Sequence, residues 1–424
     1  MARKHHEHRE TLRGHGYFKR LGPGIVTGAA DDDPSGIGTY SQVGAAFHFQ
    51  LLWTAVLALP MAVAVQETTA RLGLVTGHGL ATLIRMRFPR WILYSAVTIV
   101  TAANTFNVGA DLGSMAAATR LLVPIPTVVL VVAFAALMTT LEIFIPYHLY
   151  ARVLKWLCLS IVSYLLVLFV VGISWGDVAF HTFVPHLAFQ RDQIAALIAI
   201  FGTTITPYLF FWQASEEVEE LADHHQNGSP ALPTRNQIAA MRGDVIAGMG
   251  SGVIVMFAIM VTAASTIGNH GPKTISTADQ AAQALKPLAG RLASLLFTLG
   301  IVGTGLLAIP VIAGSTAYAL SETFGWREGL SYKVGQAKAF YLVILVSMLA
   351  GLIMNLVNIN AVRALYFSAI LNGLAAPPLI ALVWILARSK DLLGVQRSNL
   401  VSQTLVAIAV LTITVLPILY LFAR

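Results

Sequence analysis

Eleven apolar segments, each near the ~20 residues a helix needs to cross ~30 Å of hydrocarbon, leave this chain few ways to fold. They span residues 24–49, 51–75, 91–119, 127–146, 154–175, 193–220, 243–268, 291–322, 338–357, 361–387 and 401–422. Only 11% of the 424 residues are charged, against about 25% in soluble domains. We therefore expect an all-α integral membrane protein. No basic stretch followed by a short apolar run and an AxA-like site opens the chain, so no cleaved signal peptide is expected. The single cysteine, Cys158, lies in the apolar run WLCLSIVSYLLVL, which excludes an internal disulfide and reads as a packed core thiol.

The net charge of +7 comes from basic residues scattered through short loops. It reports topology and not a nucleic-acid ligand. Lys and Arg collect on one side of the alternating spans: Arg3, Lys4, Arg9, Arg13, Lys19 and Arg20 in the N-terminal tail, then Arg71, Arg85, Arg87 and Arg90, Arg152 and Lys155, Arg235 and Arg242, Arg327, Lys333 and Lys338, and Arg388, Lys390 and Arg397. Short cytoplasmic loops carry such an excess, so we expect a multi-pass plasma (inner) membrane protein with its N-terminus cytoplasmic and its C-terminus outside. The tail motif HHEHRE is read as solvated in preference to metal-binding. The polar stretch 223–237, DHHQNGSPALPTRNQ, is the longest loop outside the bilayer.

Two segments are interrupted. The first contains TGAADDDPSGIGTYSQ (residues 27–42), where Pro34 removes a backbone donor and Gly36 and Gly38 lower helix propensity. The sixth contains AIFGTTITPYLFFWQASEEVEEL, broken around Thr203, Thr204, Thr206 and Pro207. Irregular backbone at membrane depth is tolerated where it lines a cavity. Paired interruptions in corresponding halves point to a transporter's central site. We expect two inverted five-helix repeats, residues 21–180 and 181–390, after a cytoplasmic tail (1–20) and before an eleventh helix (391–424). Helices 1 and 6 are expected to be unwound at the midplane.

Asp33 is an anion at one break, with Thr206, the Thr203 or Thr204 carbonyls, Ser35 and Tyr208 as neighbouring oxygen donors. Oxygen surroundings suit a hard cation such as Mg²⁺ or Ca²⁺, and Met, Cys and His are missing from both breaks. Further along helix 6, Gln213 and Glu216 or Glu217 could hold or funnel a hydrated ion, whereas Glu219 and Glu220 read as a solvated helix end. Asp31, Asp32 and Asp33 are separated by about 100° per residue, so they cannot all face one cavity, and Asp33 is the expected ligand. Asn104, Asn107 and Asp111 share one helix face, where they line the pathway or bond between helices.

These residues resemble the Nramp divalent-metal transporter family. QETTARLGLVTGHGLATLIRMRFP is similar to its signature between helices 2 and 3, LFTLGIVGTGLLAIPVIAGSTAYALSETFGWREGL to its eighth helix, and PPLIALVWILARSKDLLG to its tenth. The resemblance implies a LeuT-like fold. The family's DPGN metal motif stands here as Asp33, Pro34, Ser35 and Gly36, so its Asn is lost. Its MPH motif stands as Thr206, Pro207 and Tyr208, and a second family histidine as Gln213. That combination resembles the Nramp-related magnesium transporters. The expected metal-site set is therefore Asp33, Gly36, Thr203, Thr206, Tyr208, Gln213, Glu216 and Glu217, with Mg²⁺, and Mn²⁺ beside it, as cargo and no cofactor.

The family's coupling histidine is absent, and tyrosine and glutamine do not readily replace it. We therefore expect uncoupled, alternating-access uptake driven by membrane potential; two charges crossing 100 mV release about 4.6 kcal/mol, twice ~2.3. The alternative is a proton-coupled Mn²⁺/Fe²⁺ symporter. A carrier of amino acids or organic solutes is disfavoured because Asp33 repels a carboxylate, and no nucleotide motif, zinc spacing or nucleophile elbow marks an enzyme. No obligate protein partner is evident.

Overall fold

The computed structural model describes residues 22–145, 162–224, 233–268, 274–330, 332–357 and 360–423. Among these every regular element is helical. The first apolar segment forms two helices, α1 (Pro23–Asp31) and α2 (Pro34–Phe47), followed by α3 (Trp53–Thr76), a short basic α4 (Leu80–Arg87), α5 (Arg90–Thr119) and α6 (Thr127–Phe144). The first part of the fifth segment, 154–161, lies outside the described residues; α7 (Val162–Val167) follows it, and α8 (Trp175–Phe183) precedes the sixth segment. The sixth segment is again two helices, α9 (Arg191–Thr204) and α10 (Pro207–His224). Then come α11 (Arg235–Thr266), α12 (Ala293–Phe324), α13 (Lys338–Leu356), α14 (Ala361–Ala387) and α15 (Leu400–Phe422).

Three boundaries depart from the sequence expectation. The helix after the sixth span begins at Arg235, eight residues before the apolar run, because Thr234 and Gln237 form a capping box that starts it in water. Short helical turns between 278 and 292 precede α12, since Pro287 and Gly290 interrupt a continuous rod. Arg71, counted as a loop cation, sits inside α3 and is 3% exposed.

The interruptions are narrower than the sequence implied. Pro34 and Pro207 each occupy the first position of a new helix, where the missing N–H has no intrahelical partner to lose. Asp33 is the N-cap of α2 and accepts from the Gly36 amide at 2.7 Å. The non-helical links are thus only Asp32–Asp33 and Ile205–Thr206. Helix resumes at once because a proline with a side-chain cap is a start signal, although the same proline inside a turn is a stop.

Polar contacts fix which ends lie on the same side. Arg71 of α3 and Arg242 of α11 both bond Glu67. Gln396, after α14, donates to Pro233 O at 2.7 Å and accepts from Arg71 through its own carbonyl at 3.0 Å. The segments following the second, sixth and tenth spans therefore share one end of the bundle. At the other end Asn360 donates to Ser276 O at 3.0 Å, and the Ile275 amide to Gln42 at 2.7 Å, which joins the segments after the first, seventh and ninth spans. That alternation is what one crossing per apolar segment requires. Eight described helices, taking α9 with α10 as one, are long and apolar enough to cross a membrane.

In the centre α1 lies directly on α11. Gly24 and Gly28 of α1 face Gly248 of α11 so closely that a Cβ at Gly28 would overlap the Gly248 backbone, and one at Gly248 the Gly24 carbonyl. Without a hydrophobic force between helices in lipid, such small-residue seams allow close packing. The seam holds α1, and with it Asp31 to Asp33, against α11.

Candidate metal-binding site

Asp33 ends the link between α1 and α2 and is 1% exposed. Its Oδ1 accepts from the Ser35 hydroxyl and the Gly36 amide, each at 2.7 Å. Its Oδ2 has longer contacts, 3.4 Å from the Tyr208 hydroxyl and 3.5 Å from Asn107 Nδ2. One oxygen is thus fixed by the helix cap and the other is loosely held, so it is free to ligate. Among the described residues no ion pair includes Asp33.

The second break lies opposite. Thr203 Oγ1 is 3.2 Å from Ser35 Oγ, and the Thr203 carbonyl accepts from Thr206 Oγ1 at 2.8 Å. A Cβ on Gly36 would lie 3.3 Å from the Asp31 carbonyl oxygen and the Tyr40 ring and 3.6 Å from Thr203 Oγ1, so position 36 is closely packed between the two breaks. Tyr208 donates to Ala30 O at 2.9 Å, and Ser315 donates to Tyr208 O at 2.7 Å. Tyr208 therefore ties the end of α1 to the start of α10 and faces Asp33 as it does so. Tyr40 and Thr204 pair at 2.9 Å across the same junction.

Five of the eight expected residues, Asp33, Gly36, Thr203, Thr206 and Tyr208, come together here. The others do not join them. Gln213 accepts from Thr27 and donates to Glu217 at 2.9 Å, which forms a polar chain along α1 and α10 that is directed away from Asp33. Glu216 turns to Tyr318 of α12 at 3.2 Å. At 100° per residue Glu216 and Glu217 cannot share a face, and the packing of α12 takes the first of them.

The polar face of α5 divides its work. Asn107 reaches Asp33 and accepts from Ser368 of α14, whereas Asn104 bonds Thr316 at 2.9 Å and joins helices. Asp111 is fully buried, and neither carboxylate oxygen has a hydrogen-bond partner. Sequence reasoning missed Ser368 and the Ala30 carbonyl. No local signal marks either, since both act only through partners far along the chain.

Sulfur is nearer than the breaks by themselves indicate. Thr204 donates to Met256 Sδ at 3.6 Å, and Met115 packs near Pro34 beside Gly305. Both come from other helices. Among the described residues no three His, Cys, Asp or Glu side chains form a metal-holding group. An ion at the break would meet one carboxylate and several neutral oxygens, a set suited to a hard divalent cation that keeps part of its water.

The Nramp profile, described as natural resistance-associated macrophage protein-like, matches residues 24–423. Curated relatives include the divalent metal cation transporter MntH of Verminephrobacter eiseniae, 27% identical over 95% of this chain and 89% of that protein. MntH of Yersinia enterocolitica is 28% identical over 93% and 92%. Among solved structures, the manganese transporter of Eremococcus coleocola superimposes with a TM-score of 0.75 at 20% identity, over 97% of this chain and 87% of that one. Mhp1, a nucleobase-cation-symport-1 family transporter, in a closed conformation gives 0.56 at 16% identity, over 95% and 93%. These likenesses give the fold: LeuT-like, with inverted five-helix repeats, helices 1 and 6 broken, and an eleventh helix.

Proposed function

The chain belongs to the Nramp family, and on that premise we propose that it carries divalent metal cations across the membrane by alternating access at Asp33. The observation that carries this reading is a buried carboxylate, without a basic partner among the described residues, set where two helix breaks meet. Intramembrane acids of this kind mark ion pathways. The chain is no enzyme; its relatives are named as metal transporters.

The sequence relatives are named for divalent metal cations and the Eremococcus coleocola structure for manganese, and Met256 and Met115 near the breaks agree with a moderately soft ion. This supports a manganese carrier of the proton-coupled type over the magnesium uniporter expected from sequence. Magnesium enters as a second reading on one observation: the residues around Asp33 Oδ2 offer oxygen and nitrogen but no thioether or imidazole. A site of that kind accepts Mg²⁺ partly hydrated, as that ion prefers. The N-terminus is read as cytoplasmic from the basic loops, and the bilayer as the plasma membrane.

Proteoliposome uptake tests both readings. We expect Mn²⁺ to enter under an inside-negative potential, Mg²⁺ to compete with it, and luminal acidification to accompany Mn²⁺ if protons are coupled. Mn²⁺ entry with no pH change would return the mechanism to uniport. Replacing Thr206, which is 1% exposed, by Met brings a soft donor to the break. Thr206→Met should raise the preference for Mn²⁺ over Mg²⁺ about 10-fold, ~1.4 kcal/mol, in the same competition assay.

A further inference from the structure

Asp31 and Asp32 do not face Asp33's partners. They turn to α11, where Asp31 Oδ2, Asp32 Oδ1 and the Gly28 carbonyl converge on the side-chain position of Gly252, at 3.6, 3.7 and 3.5 Å from where its Cβ would stand. Asp31 is 2% exposed and its Oδ1 has no hydrogen-bond partner; Asp32 is 8% exposed. Neither carboxylate forms an ion pair among the described residues.

Gly252 differs from the glycines of the adjoining seam. At Gly28 and Gly248 a side chain would overlap backbone, so packing alone requires glycine there. At Gly252 a methyl group would make ordinary van der Waals contacts. Helix propensity favours alanine over glycine. What glycine provides at 252 is space, and that space is walled by three oxygens, two of them from carboxyl groups.

We propose that Asp31, Asp32 and the Gly28 carbonyl form a second divalent-cation subsite, beside Asp33 and separate from it. This rests on the reading of the chain as a divalent-cation carrier. Two carboxylates balance a charge of +2, and an all-oxygen set suits Mg²⁺ or Mn²⁺. Direct ligation at ~2.0–2.6 Å seats the ion between the carboxylates, nearer to them than the Cβ position. The subsite lies at the end of α1, one helix turn from the Thr27–Gln213–Glu217 chain. It is a staging position on the side of the break that α1 occupies.

The test is Mn²⁺ binding to the purified full-length chain, by equilibrium dialysis and by the Mn²⁺ paramagnetic resonance signal, with Mg²⁺ as competitor. Wild type should bind two Mn²⁺ per chain. Gly252→Ala fills the cradle and should bind one, with its melting temperature no lower than that of wild type. Asp31→Asn with Asp32→Asn removes the charge without adding bulk and should also bind one. Asp33→Ala should keep the ion that these variants lose. Two ions with wild-type affinities in both cradle variants would overturn the subsite, as would one ion in wild type and none in Asp33→Ala; either result leaves transport at Asp33 standing. Displacement of the second Mn²⁺ by Na⁺ at matched ionic strength also overturns it. No Mn²⁺ binding to wild type overturns the transport reading, and the subsite with it.

Discussion

Asp33→Asn should reduce Mn²⁺ and Mg²⁺ uptake in proteoliposomes by about 100-fold or more, roughly 2.7 kcal/mol, without unfolding the protein. The size follows from taking the charge out of a buried contact, which costs about 2–5 kcal/mol when the other charge stays behind. Here the other charge is the cation. The choice of asparagine separates two duties of one side chain. Asp33 Oδ1 caps α2 through Ser35 and the Gly36 amide, and asparagine caps about as well, so the melting temperature should hold. Oδ2 has only long contacts, so its loss is felt by an ion and little by the fold. Asp33→Ala should lose the same transport and about 1 kcal/mol of capping in addition. Wild-type uptake by Asp33→Asn would end the proposal that this carboxylate holds the cargo.

Gly28→Ala should be strongly destabilising. The added carbon would overlap the carbonyl of Gly248, and both partners are helix backbone with no rotamer to yield. Overpacking typically costs about 1–3 kcal/mol; this seam belongs at or above the upper end. Thermal unfolding in detergent should show a clear fall in melting temperature, and uptake should fall as α1 is displaced from α11. The paired control is Gly252→Ala, four residues along α11 from Gly248, where the same group meets atoms at 3.5 Å or more and stability should not fall. Equal melting of Gly28→Ala and wild type would refute the close seam.

How much of this was legible beforehand depends on the range of the interaction. The helical class, the number of spans and the two interruptions follow from hydrophobic length and from proline, which act within a few residues. Observed helix limits at Arg90–Thr119 and Ala361–Ala387 lie within one residue of the apolar runs. The interruption at Asp33 was visible, but its extent was not. A proline after an acidic cap restarts a helix, so Pro34 to Gly36 are its first turn and not an unwound stretch.

The sequence by itself determined that this chain crosses a bilayer many times and brings a carboxylate and a set of hydroxyls into the two places where its helices cannot be continuous. Only the tertiary structure decided which groups meet. It sent Glu216 to Tyr318, Gln213 to Thr27 and Asp31 to the empty side of Gly252, and it brought Asn107, Ser368 and Met256 from distant helices to the breaks. The physical reason is that hydrophobicity and backbone propensity are local properties. The direction of a side chain and the partner that it finds are set by the packing of helices far apart in sequence.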